Sequence, residues 1–237
     1  MSEVILEIKN THKSFDNTKV HCGATFDLMK GESIALLGGS GTGKSVLLRS
    51  IIGLEFIDKG EICFKGQRID NLSEKELCEI RKSISYSFQT GALFDSLNVF
   101  DNIAYPLIEH TNLTFDEIKK KVCETLKLID LENKESLMPS DLSGGMQKRV
   151  GMARSMIMNP DIILYDEPTA GLDPLNTTNI VNIMKKLNQK GMASIFVTHD
   201  IPSAVSFCDR FLILDNGKIC FNGSLKEFQN SDNPIVH

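Results

Sequence analysis

The stretch Leu36-Leu37-Gly38-Gly39-Ser40-Gly41-Thr42-Gly43-Lys44-Ser45 constrains this chain more than any other. It reads as a buried strand end, a glycine-rich turn, and a helix that opens at Lys44-Ser45-Val46-Leu47-Leu48. Gly38 with Gly43-Lys44-Ser45 fits G-x-x-x-x-G-K-S, a phosphate-binding loop. The glycines let the backbone curl until successive N–H groups from Gly38, Gly39, Ser40, Gly41, Thr42 and Gly43 converge on one anion. The helix beginning at Lys44 adds its positive dipole end and its orphan N–H groups. Lys44 reaches the outer phosphates as a point charge, and the Ser45 hydroxyl can ligate Mg²⁺. Such a loop says that a nucleotide binds; it does not say what the nucleotide is for.

The surroundings of the loop set the fold class. Short apolar runs at 33–37, 61–64, 84–88, 161–166, 193–198 and 211–214 read as strands. They alternate with helical segments that start at Lys44, at the Ser73-Glu74-Lys75-Glu76 capping box, and at 175–189 and 201–207. That alternation predicts an α/β fold with a mostly parallel sheet and helices on both faces. Two further strands are expected at 4–9 and 20–28. From Gln89 to about Met158 the pattern turns helical, with Ile118, Val122, Leu126 and Ile129 at helical spacing after Thr114. We read 1–237 as one domain with a helical insertion over approximately 90–158.

Bulk properties exclude several classes. A net charge of −5 over 237 residues argues against a nucleic-acid partner, whose footprint is basic. The six cysteines form no C-x-x-C pair and no metal-like spacing, so they read as reduced thiols. The opening Met1-Ser2-Glu3-Val4-Ile5-Leu6-Glu7-Ile8-Lys9 alternates like a strand rather than a secretory signal. No apolar run approaches the ~20 residues of a membrane span, so the chain is not expected to cross a bilayer by itself.

Three further segments carry chemistry. Ile162-Ile163-Leu164-Tyr165-Asp166-Glu167 is an apolar strand that ends in two acids at the sheet edge where such folds bind ligands. Asp166 is placed there to hold Mg²⁺, and Glu167 to polarise an attacking water; alone, the pair is equally a solvated strand end. In Leu142-Ser143-Gly144-Gly145-Met146-Gln147-Lys148-Arg149, Ser143 can cap a helix whose exposed N–H groups form a second anion site. A plain N-cap would look the same. His199 and Phe15, taken singly, read as a strand-end histidine and a core aromatic.

Together these segments resemble the ATP-binding-cassette (ABC) ATPases over nearly the whole chain. L-S-G-G, followed by Gln147 and the basic pair, matches the family's signature motif. Gln89 is similar to its Q-loop glutamine, Gly171-Leu172-Asp173-Pro174 to its D-loop, and Thr198-His199-Asp200 to its switch histidine segment. Phe15 stands where the family has an aromatic that stacks on adenine. The resemblance implies a P-loop NTPase with a RecA-like parallel core, an N-terminal antiparallel β lobe and an inserted α-helical subdomain. It implies ATP and Mg²⁺ as cofactors. It also implies a head-to-tail dimer in which each ATP lies between Gly38–Val46 of one copy and Ser143, Gly144, Gly145 and Asp173 of the other. In that picture Glu167 is the base, His199 steadies the γ-phosphate, Lys44 holds the outer phosphates, and Gln89 senses Mg²⁺ and water. Ser45, Gln89 and Asp166 form the metal set. Val46 and Met146 depart from the commoner family residues without removing a catalytic group.

Within the family, Gln89-Thr90-Gly91-Ala92-Leu93-Phe94-Asp95-Ser96-Leu97-Asn98-Val99-Phe100-Asp101-Asn102, with Val46 and Met146, resembles the ATPases of Mla/Mce lipid-transport systems. This implies transport of phospholipids or related lipids between membranes and a peripheral place on the cytoplasmic face of the inner cell membrane. It also implies a permease docked on 89–107 and, indirectly, an Mce-domain substrate-binding protein. Without the resemblance the apolar residues of 89–107 could be core. The family's tail after its Asp-x-Pro-x-Val region is longer than the end at His237, which leaves a regulatory subunit unassigned. An importer ATPase for a small polar solute is the competing reading, because the permease chooses the substrate. A soluble ABC protein acting on DNA or ribosomes would carry tandem cassettes or basic patches. A silent scaffold would lack Lys44, Glu167 or His199.

Overall fold

The computed structural model describes residues 3–231; the tail from residue 232 onward, weighed above, lies outside them. In chain order the elements are β1 (Val4–Phe15), β2 (Thr18–Met29), β3 (Ser33–Leu37), α1 (Lys44–Ile51), β4 (Lys59–Phe64), β5 (Gln67–Arg68), α2 (Glu74–Ser83) and β6 (Ile84–Ser87). There follow α3 (Val99–His110), α4 (Phe115–Leu128), α5 (Gly144–Met156), β7 (Ile162–Asp166), α6 (Pro174–Gln189), β8 (Ala193–Val197), α7 (Ile201–Phe207), β9 (Arg210–Asp215), β10 (Lys218–Ser224) and α8 (Leu225–Gln229).

A six-stranded sheet in the order β10-β9-β3-β8-β7-β6 forms the centre, parallel except for the edge strand β10. Its strands are short apolar runs because both faces are covered. Alternation then sorts each strand between two cores. Ile34 and Leu36, Ile162 and Leu164, Ile195 and Val197, Leu212 and Leu214 meet Leu47, Leu48 and Ile51 of α1. Ala35 and Leu37, Ile163 and Tyr165, Phe196, Phe211 and Ile213 meet the helices on the other face. A second sheet, β2-β1-β4-β5, is antiparallel and closes over the α1 side. Arg210 ties the sheets together by donating to Asp27 and Glu32, and the Cys22 N–H donates to the Gly217 carbonyl at 2.7 Å.

β1 and β2 run further than apolar alternation suggests, because the polar segment around Lys13 and Ser14 stays paired up to a hairpin at Phe15↔Thr18. Backbone pairing extends a strand regardless of what its side chains bury. The helical stretch is also narrower than expected. Residues 89–98 form a turn and loop, with Gly91 and Ala92 at φ 76° and 45°. Gly91 lies so close to Gly151 of α5 that a side chain at 151 would meet the Gly91 backbone at 2.6 Å. Buried Asn102 holds the loop through Phe94 N–H, Phe94 O and Leu97 O. α2 begins at the expected capping box, Ser73 N–H donating to Glu76 at 2.9 Å, and α4 begins at a second one, Thr114 N–H donating to Glu117 at 2.7 Å.

Phe196 is fully buried, its ring 6.0 Å from that of Phe207. Phe196→Ala is expected to lower unfolding stability by about 3–5 kcal/mol through the cavity it leaves, measured as a shift in the urea unfolding curve.

Candidate functional site

Parallel register brings the carboxyl ends of β3, β7 and β8 side by side: Leu36 pairs with Val197, and Asp166 with Val197. The loop after β3, the acids ending β7 and Thr198-His199 after β8 therefore share one edge, where open α/β sheets bind ligands. Phe15, Val20, Ser40, Gly41, Gly43, Lys44, Ser45, Val46, Glu167 and His199 line a cleft of about 330 Å³ there.

Lys44 is buried, and its ammonium donates to the Gly38 and Gly39 carbonyls at 3.0 and 2.7 Å. Burial pushes its pKa down, opposed by the charges of Glu167 and Asp166. Thr42 Oγ1 donates back to Gly39 O at 3.0 Å, tightening the loop. Gly43 has φ 96°, and a Cβ there would stand 2.5 Å from Val20 Cγ1, so only glycine lets β2 approach. Ser45 Oγ donates to Asp166 Oδ1 at 2.8 Å. Glu167 takes the left-handed conformation, φ 49°, with its N–H donating to Val197 O. That strained turn sets its carboxylate 3.1 Å from His199 Nε2. Phe15 is 39% exposed at the mouth, with Lys13 Nζ 4.7 Å above its ring.

Other expected site residues lie elsewhere. Gln89 is exposed on the turn after β6, away from the cleft lining. Ser143 caps α5, accepting from Met146 N–H, and Gly144 and Gly145 form its first turn, also outside the cleft. Asp173 caps α6, and bonds from Asn176 hold its carboxyl below the ordinary range. Asn176 in turn sits over Gly145, where a Cβ would lie 2.8 Å from its Oδ1. The N-termini of α5 and α6 thus meet through Gly145 and Asn176.

A groove of about 270 Å³ opens beside β6, with Phe88, Phe94, Tyr105 and Arg154 among its walls. Phe94 and Tyr105 are exposed, with ring centroids 5.0 Å apart. Arg154, its pKa pushed down by burial, donates to the Gly91 and Ala92 carbonyls and stands 5.1 Å from the Phe94 ring centroid. Part of the 89–107 segment is therefore core and part is an exposed aromatic rim.

Two cleft contacts escaped sequence reading. Tyr86 donates its phenol proton to Asp166 Oδ2 at 2.6 Å, and burial with this bond pushes the phenol well up, so it stays a donor. Period-two alternation puts Tyr86 on the same sheet face as Asp166, but only once β6 is known to lie beside β7. The other is His21, almost wholly buried in β2 beneath the loop, whose Nε2 lies 3.0 Å from Gly43 O. A carbonyl only accepts, so Nε2 carries a proton.

Among the described residues, His21 Nδ1 has no hydrogen-bond partner. Protonation would bury an unpaired donor, and burial lowers the pKa below its ordinary 6.5. With the folded value depressed, the unfolded chain takes up the proton first. The neutral ring's contribution is therefore complete above about pH 6.5 and is lost as pH falls through the folded value. His21→Gln is expected to flatten the decline in urea midpoint between roughly pH 6.5 and pH 5. Gly43→Ala is expected to cost at least about 1–2 kcal/mol of stability from the backbone conformation alone, read from the same curves.

The sequence matches the ABC transporter family over residues 22–170. It is 37% identical to the Haemophilus influenzae intermembrane phospholipid transport system ATP-binding protein MlaF, over 100% of this chain and 90% of that protein. It is 41% identical to the probable ribonucleotide transport ATP-binding protein mkl of Mycobacterium leprae, over 98% of this chain and 67% of that protein. The structure superposes on the ATP-binding cassette MJ0796, in a dimeric post-hydrolysis state bound to ADP and Pi, with a TM-score of 0.87 at 32% identity, covering 93% of this chain and 99% of that one. With the glycine-rich loop, Asp166-Glu167 and His199 on one sheet edge, this chain belongs to the ABC transporter family as one of its ATP-hydrolysing cassettes.

Proposed function

We propose that this chain is the ATP-binding and hydrolysing subunit of a transporter that moves phospholipids or related lipids between membranes. The observation that carries this reading is the end-to-end likeness to a phospholipid-transport ATPase. It is joined by the Gln89-to-Asn102 segment and its aromatic rim. On this reading residues 1–237 form one cassette with a helical lobe over approximately 90–158, peripheral on the cytoplasmic face of the inner membrane. A permease seats on 89–107, and an Mce-domain protein joins through it.

ATP lies in the cleft with adenine at Phe15 and phosphates in the loop from Gly38 to Val46, where Val46 offers its backbone N–H. A second copy closes the site with Ser143, Gly144, Gly145 and Asp173. That arrangement agrees with the dimeric state of MJ0796. Ser45 and Asp166 suit Mg²⁺: a hydroxyl and a carboxylate, both hard oxygen donors, meet at 2.8 Å beside the phosphate loop. Mg²⁺ there would neutralise phosphate charge, with Gln89 moving in to complete the set. Lys44 stabilises the outer phosphates. Glu167, steadied by His199, orients a water and accepts its proton as the γ-phosphate leaves. Loss of the γ-phosphate removes the bond between the copies, and the dimer opens.

The name of the mycobacterial relative favours a second reading, an ATPase for a small polar solute such as a nucleotide. Affinity purification of the tagged chain from gently solubilised membranes, followed by mass spectrometry, separates the two. A permease with an Mce-domain protein and bound phospholipid supports the lipid reading; a permease with a soluble solute-binding protein overturns it. Glu167→Gln is expected to bind ATP, accumulate a closed dimer and lose turnover by roughly 10²–10⁴-fold, measured by phosphate release and size-exclusion chromatography. Lys44→Ala is expected to weaken ATP binding by about 10-fold or more, as loss of a charged hydrogen bond implies, measured by calorimetry.

A further inference from the structure

Asp166 is held at both oxygens by donors from different elements. Ser45, in the first turn of α1, donates to Oδ1 at 2.8 Å; Tyr86, in β6, donates to Oδ2 at 2.6 Å. A carboxylate turns easily about its last torsion, whose energy well is broad. Two donors on opposite oxygens remove that freedom. The Tyr86 ring is itself fixed, packed against the α1-side core and 4.5 Å from the Phe88 ring.

We propose that Tyr86 is a positioning residue for the metal carboxylate. Its phenol anchors Asp166 Oδ2, so that Oδ1 stays turned toward Ser45 and the phosphate loop. This rests on the reading of Ser45 and Asp166 as the Mg²⁺ site. A serine hydroxyl has one proton and two lone pairs, so Ser45 can donate to Asp166 and still offer an oxygen to a metal. Its donor is shared with that task, whereas the Tyr86 donor is committed to Asp166 alone. Without the phenol, Oδ2 sits partly buried with no donor from β6, and the carboxylate is free to rotate. Outer partners of this kind are worth roughly 10–100-fold in metal affinity.

The test uses the full-length protein and Mn²⁺ as the probe. Mn²⁺ affinity of the ADP-loaded protein is measured by electron paramagnetic resonance, and ADP affinity in EDTA by calorimetry. Tyr86→Phe keeps the ring and its packing and removes only the hydroxyl. It is expected to weaken Mn²⁺ roughly 10-fold while leaving ADP affinity in EDTA unchanged. Asp166→Asn is the reference and is expected to weaken Mn²⁺ at least as much. If Asp166→Asn binds Mn²⁺ like the parent protein, the metal reading of Asp166 fails. If Asp166→Asn is weakened and Tyr86→Phe is not, the role of Tyr86 is overturned and the metal reading stands. Equal weakening of ADP in EDTA by Tyr86→Phe also overturns it, because Tyr86 would then support the loop rather than the carboxylate.

Discussion

The parallel ladder through β8, β3 and β9 is the constraint on which the molecule depends. β3 is buried on both faces and paired on both sides, so its five residues have no solvent to answer to. Hydrogen bonds fix its height relative to β8, and β8 fixes that of β7. A slip of one residue would send Ile34 and Leu36 to the wrong core and carry the phosphate loop out of line with Asp166. The geometry of the cleft is therefore inherited from strand register, and register is held by the apolar side chains of two separate cores.

On this scaffold the cleft concentrates charge in a partly dry place. Lys44 lies in carbonyl contact within the loop, and its burial penalty is opposed by two carboxylates from β7 and the residue after it. Glycine at 43 allows β2 and His21 to pack from beneath, so the antiparallel sheet is part of the loop's support and not a separate layer. The strained backbone at Glu167 places a carboxylate against His199 where a relaxed strand end would point it away.

The segment after β6 follows another logic. Its backbone lacks regular hydrogen bonding, so side chains supply the order. Asn102 and Arg154 clamp it from α3 and α5, and the Gly91–Gly151 contact lets it lie against α5. Phe94 projects outward from it and meets Tyr105 of α3, among exposed polar residues such as Asp95 and Ser96. A loop fastened so firmly on its inner side keeps a fixed outer surface.

Much of this was legible from residue order. The phosphate loop, the acids after an apolar strand, the capping box at Ser73, the helix start at Thr114, and the alternation of strand and helix are local patterns. Each depends on neighbours within a few residues, and each is found where the pattern puts it. Only tertiary structure decided which strands lie side by side, and with that the meeting of Tyr86 with Asp166 across 80 residues and of His21 with Gly43 across 22. It also decided that 89–98 is a pinned loop and not a helix. The physical reason is that periodicity shows which face of an element is apolar but is silent on which element covers it. Strand order and close backbone approach emerge only when the cores are filled.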